Sequence, residues 1–130
     1  IVPETMKNLE GLYDFREAVT VLKRDGIYHF TWSCDDTGSE NYHVNYGTSD
    51  SLYGPVRFEK TILQKNVQKG VLGTGHHSIC KVPGQDAYWI AYHRFGTPLT
   101  QYPEGKGFHR ETCVAPLEFD EAGKMMEVIV

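Results

Sequence analysis

One pattern narrows the folding options of this chain more than any other: four short strand-like segments joined by turns, occurring twice. The stretch "EAVTVLKRDGIYHFTW", residues 17–32, has two β-type runs joined at Asp25-Gly26, a strong two-residue hairpin dipeptide. Its second run alternates Tyr28, Phe30 and Trp32 against Ile27, His29 and Thr31. After the polar loop "SCDDTGSEN", the runs "YHVNYGTS" and "VRFEKTIL" complete a four-stranded antiparallel unit. The second copy reads "HSICKV", the turn "PGQD", "AYWIAYHR", "HRETCVAPLEF", the turn "DEAG" and "KMMEVIV". An offset of 60 aligns the copies, pairing Glu17 with His77, Val19 with Ile79, Tyr28 with Tyr88 and Trp32 with Tyr92. Repeated four-stranded sheets are the mark of propeller blades. The expected fold is therefore all-β, with 1–130 as a single unit holding about two blades, 17–62 and 77–130. Alternation alone equally permits an eight-stranded β-sandwich.

A chain of 130 residues with 40% hydrophobic and 12% aromatic content can bury a core. A net charge of −4 without a long basic run argues against a nucleic-acid partner, and the apolar runs are too short to span a bilayer as helices. Cys34, Cys80 and Cys113 are odd in number and widely spaced, which indicates buried free thiols rather than a disulfide framework. The start "IVPETMKNLEG" has neither a basic nor an apolar leader segment, so secreted, periplasmic and cytoplasmic locations all stay open.

In an up-and-down meander, the start of strand one, the loop between strands two and three and the start of strand three lie at one end. Glu17, loop 33–41, His76 and His77, loop 94–108 and Arg110 are expected to share that end. The second of these loops is longer than most hairpin connections, a property of functional or mobile segments.

These residues give the chain its resemblance to the C-terminal part of glycoside hydrolase family 43, five-bladed β-propeller glycosidases acting on arabinosides, xylosides or galactosides. The motifs are "REAV" around Glu17, "GTGHHS" at 73–78 and "HRETCVAPLEFDEAG" from His109. The resemblance implies that Glu17 is the general acid, although Val19 stands where the family has proline. It implies that Arg110 contacts substrate, and that His76 faces a central channel where a structural calcium ion is held through water. Trp32 and Asp36 are further candidate substrate contacts: Trp32 could stack on a sugar ring, although alternation favours core, and Asp36 is a turn former whose loop would face the cleft. His77, on the opposite strand face, is expected to pack. Ligands from His76, His77 and Cys80 would not converge on a zinc ion from one extended strand.

Inverting glycosidases need a protonated carboxyl at the leaving oxygen and a second carboxylate about 6.5–9.5 Å away that activates water. Glu17 fills only the first role. The resemblance implies that the base and a second aspartate, which tunes the acid, belong to blades before residue 1. Five blades of this size need roughly 300 residues, so the expected partners are the missing blades or a second copy docked on open blade faces. The expected substrate is a plant-type oligosaccharide or glycoside, and the chain alone is expected to be inactive. A carbohydrate-binding half-propeller without turnover and a purely structural assembly unit are the alternatives.

Overall fold

The computed structural model describes residues 3–130. Strands β1 (Glu17–Arg24), β2 (Ile27–Cys34), β3 (His43–Ser49) and β4 (Arg57–Leu63) form an antiparallel meander in the order β1-β2-β3-β4. Asp25 and Gly26 both take positive φ, 51° and 81°, the requirement of a tight two-residue hairpin. Strands β5 (Gly75–Lys81), β6 (Tyr88–Phe95) and β7 (Arg110–Leu117) form a second sheet in the order β5-β6-β7.

Alternation along β2 explains why this strand is buried on both sides. Phe30, Trp32 and Cys34 face Val56 and the segment carrying Leu9 and Leu12. His29, Thr31 and Ser33 point the other way, towards the second sheet, and each has a polar partner: Tyr46 Oη at 2.8 Å, His77 Nε2 at 2.6 Å and the His76 amide at 3.0 Å. Buried polar groups paired in this manner avoid a desolvation penalty of about 1–3 kcal/mol each. Below them the sheets share an apolar core, with Val44, Tyr46, Ile62 and Leu63 from the first and Tyr88, Ile90, Tyr92, Ala115 and Leu117 from the second.

Three expectations need correction, the first being that of buried thiols: Cys34 is buried, but Cys80 is exposed and Cys113 half-buried. The second sheet has three strands, because residues 124–130 do not continue its meander. The tail turns at Asp120–Gly123, bridges Phe119 to Met125, then donates from the Val128 amide to the Ile62 carbonyl of β4 at 2.7 Å. Met125 and Val128 thereby enter the shared core. A fourth strand on β7 would have left them outside it.

The offset of 60 also fails on the first strand of each sheet. Glu17 pairs with Ser33 and Gly75 with His93, and each pair is followed by a β-bulge, so the equivalent of Glu17 is Gly75, 58 residues on. Ala18 and His76 then match, and both have positive φ, 55° and 47°. The four-residue turn 83–86, closed by the Val82 amide on the Ala87 carbonyl, is two residues longer than Asp25-Gly26. Second strands keep the offset of 60 and first strands lose two.

Candidate active site

Each bulge lifts the start of its first strand out of regular pleating, and the two starts meet. Glu17 and His76 come together there, with His76 Nδ1 3.8 Å from Glu17 Oε1. Backbone strain at His76 is held by its amide, which donates to Ser33 Oγ, and the imidazole is left exposed. His77 turns inward. It is 5% exposed, bonds Thr31 through Nε2, and has its pKa pushed down to about 4, chiefly by burial and then by His76. The adjacent histidines therefore separate into one exposed residue and one packing residue, through the bulge at His76 rather than regular alternation.

Tyr42 and His93 complete the cluster, and no local sequence signal places either beside Glu17. Tyr42 Oη donates to Glu17 Oε1 at 2.8 Å. Burial, aided by Glu17, pushes the Tyr42 pKa up to about 12, so the phenol keeps its proton and acts as donor. Its ring stacks on His93 at 5.5 Å, and His93 stacks in turn on His76 at 6.1 Å. Burial first, then Arg110 and His76, push the His93 pKa down to about 4, so this column of rings is neutral at its centre. The one sequence cue to Tyr42 is Gly75. A Cβ on Gly75 would lie 2.3 Å from the Tyr42 ring, so the phenol reaches Glu17 only because residue 75 has no side chain.

Arg110 lies at the same end but is held by the loops. Its guanidinium donates to the carbonyls of Gly107 and Thr37 and to Thr37 Oγ1 at 2.9 Å, and covers the Phe95 ring. Loops 35–42 and 96–109 are thus clamped together, and Gly107 packs on the Gly38 backbone so closely that a Cβ would overlap it. Among the described residues, Arg110 makes no ion pair with Glu17. Asp36 sits in the first of these loops, exposed, with Oδ1 accepting from the Gly38 amide and Oδ2 3.3 Å from Arg16. Arg94 bonds Glu111 at 2.6 Å, and Glu111 also holds Thr97, which anchors the start of the longer loop.

Trp32 does not reach the cleft. The indole is fully buried against the segment before β1, and Nε1 donates to the Tyr13 carbonyl at 2.8 Å. Trp32 is therefore core and not a sugar platform in this structure: Phe30, Trp32 and Cys34 of β2 point away from the second sheet.

Calcium takes six to eight oxygen ligands. Around His76 the described residues supply imidazoles and a single carboxylate already engaged by Tyr42. This donor set does not make a calcium site by itself.

Comparison with known proteins gives these groups a context. The chain is 38% identical to a beta-D-galactofuranosidase, xynD, of Aspergillus niger over 132 residues, covering 96% of this chain and 37% of that protein. It is 31% identical to a xylosidase/arabinosidase of Bacteroides ovatus, covering 88% of this chain and 30% of the relative. It spans about a third of the length of such relatives. Among solved structures, a glycoside hydrolase superposes with a TM-score of 0.80 at 26% identity, over 95% of this chain and 27% of that one. A thermostable family-43 glycoside hydrolase superposes with a TM-score of 0.74 at 27% identity, over 88% of this chain and 35% of that one. The two sheets are accordingly part of a propeller rather than a closed sandwich. The family model for glycosyl hydrolases family 43 matches residues 2–125, and the chain belongs to that family.

Proposed function

We propose that this chain supplies the acid side of a family-43 glycosidase cleft, with Glu17 donating a proton to the leaving glycosidic oxygen. The observation that carries the reading is the carboxylate of Glu17, half-buried at the mouth between the sheets and held through Oε1 by Tyr42. With that oxygen occupied, Oε2 is the one that carries the transferable proton. General acid assistance of this kind contributes about 10²–10⁴-fold.

The attacking water must be activated by a second carboxylate on the opposite sugar face. Among the described residues at this end, Asp36 is tied into its own turn and to Arg16, which suits it to loop shape rather than to the base. The base is proposed to come from outside these 130 residues, as does the carboxylate that would keep Glu17 protonated. The blade faces left open here would receive the rest of the propeller, or a second copy. The substrate class is an arabinoside, xyloside or galactoside of the plant-type oligosaccharides, in keeping with the activities for which the relatives are named. A calcium ion would reach His76 only through water, with its oxygen ligands supplied by other blades.

The test compares two proteins on aryl arabinofuranosides, xylosides and galactofuranosides. One is the 130-residue chain alone, and the other is a polypeptide in which this segment follows the carboxylate-bearing blades of a family-43 relative. Turnover by the second and background by the first is the expected result. Turnover by the verified chain alone would refute the division of roles.

A further inference from the structure

A second group of chemically competent side chains lies outside the Glu17 cluster. Asp14, Cys34 and His43 each bring a ligand atom to within 4.8 Å of the other two. We propose that these three residues bind a thiophilic divalent cation of the zinc type, with solvent completing the coordination.

The arrangement follows from the fold. Cys34 and His43 are direct cross-strand partners at the end of β2 and the start of β3. Such partners project to the same face of a sheet with Cβ atoms about 4.5–5.5 Å apart. Asp14 arrives from the segment before β1 in a left-handed conformation, φ 56°. Its position is fixed by the carbonyl of Tyr13, which accepts from Trp32 Nε1 at 2.8 Å and Asn45 Nδ2 at 3.3 Å and lies 3.8 Å from Cys34 Sγ. Three donors, Trp32 and the Cys34 thiol from β2 and Asn45 from β3, thus pin the residue that precedes the carboxylate, and the carboxylate itself stays exposed. No cation pairs with Asp14 among the described residues. His43 Nδ1 bonds the Asn41 carbonyl at 2.8 Å, which selects the tautomer with a free lone pair on Nε2. A backbone carbonyl behind the imidazole is the usual partner of a ligating histidine.

The chemistry selects the metal. Tetrahedral zinc with bonds of about 2.0–2.3 Å sets its ligand atoms roughly 3.2–3.8 Å apart, so the widest pair closes by up to about 1.6 Å. The exposed Asp14 side chain can supply that movement. A thiolate and an imidazole favour zinc or cobalt over calcium or magnesium. On binding, Cys34 releases its Sγ proton to solvent and coordinates as thiolate. The wall side of the site is the buried thiol and the open side is the aspartate, leaving the fourth position to water. This cluster is separate from any water-bridged calcium at His76, and the proposal stands or falls independently of the hydrolase reading.

The experiment is cobalt titration of the full chain carrying Cys80→Ser and Cys113→Ser, so that Cys34 is its sole thiol. Cobalt should produce a sulfur-to-metal charge-transfer band with tetrahedral visible absorption, and zinc should bleach both. In the same background Asp14→Asn, a surface change, and His43→Gln should each weaken cobalt binding at least about tenfold. Cys34→Ser should abolish the charge-transfer band. No charge-transfer band at saturating cobalt, or unchanged affinity in Asp14→Asn and His43→Gln, would overturn the proposal.

Discussion

Glu17 and His76 reach the cleft by the same local device, a strand start followed by a bulge with a positive-φ residue. The bulge in the first sheet presents its first residue, Glu17. In the second sheet that place is Gly75, whose missing side chain admits Tyr42, and the next residue, His76, becomes the exposed one. Tyr42→Phe in the assembled enzyme should therefore lower kcat about tenfold with little change in KM, as expected for loss of a hydrogen bond to a reacting carboxyl. Gly75→Ala should reproduce that loss by displacing the ring, and steady-state kinetics on both variants checks it. The histidines make a second prediction. His77 has a folded pKa near 4 against an ordinary 6.5, so between these values the unfolded chain binds more protons and stability is lost as pH falls. The loss is up to about 3 kcal/mol for the buried His77. Denaturation from pH 7 to 4 should show a shallower slope in His77→Leu. The parent should gain stability from calcium over chelator in the assembled enzyme, His77→Leu should keep that gain, and His76→Ala should lose it. Equal calcium responses in parent and His76→Ala would remove the cation from His76.

At the scale of elements, the hairpins were legible because Asp25-Gly26 and the alternation in β2 are local signals. Glu17, His76, His77 and both long loops fell at one end because meander topology requires it. Local patterning could not show the bulges, nor that the turn 83–86, two residues longer than Asp25-Gly26, shifts the repeat from 60 to 58 on the first strands, nor the path of the tail. "KMMEVIV" has the composition of a strand, but its pairing is decided by a tertiary vacancy beside Ile62 rather than by β7. Trp32 was ambiguous for a similar reason: alternation gives two faces, and which face meets the other sheet is a property of packing. The tail gives a prediction of its own. Met125 is fully buried between the sheets, so Met125→Ala should cost about 2–5 kcal/mol in chemical denaturation. The exposed neighbour Met126→Ala should cost far less. Equal, small losses would mean that the tail does not plug the core.

Across the chain, two sheets share a core and a returning tail, with Arg110 clamping the loops at the end where the Glu17 carboxyl is held by Tyr42. Leaving-group dependence is the direct test of the general-acid role proposed for Glu17. In the assembled enzyme, Glu17→Gln and its parent would be compared on a series of aryl glycosides of increasing leaving-group pKa. A general acid matters little for a phenol that departs without a proton and greatly for one that does not. The parent should show a shallow dependence and Glu17→Gln a steep one, with a loss of about 10²–10⁴-fold on the poorest leaving groups that shrinks on the best. A uniform loss across the series would contradict it, and would make Glu17 a binding or structural residue.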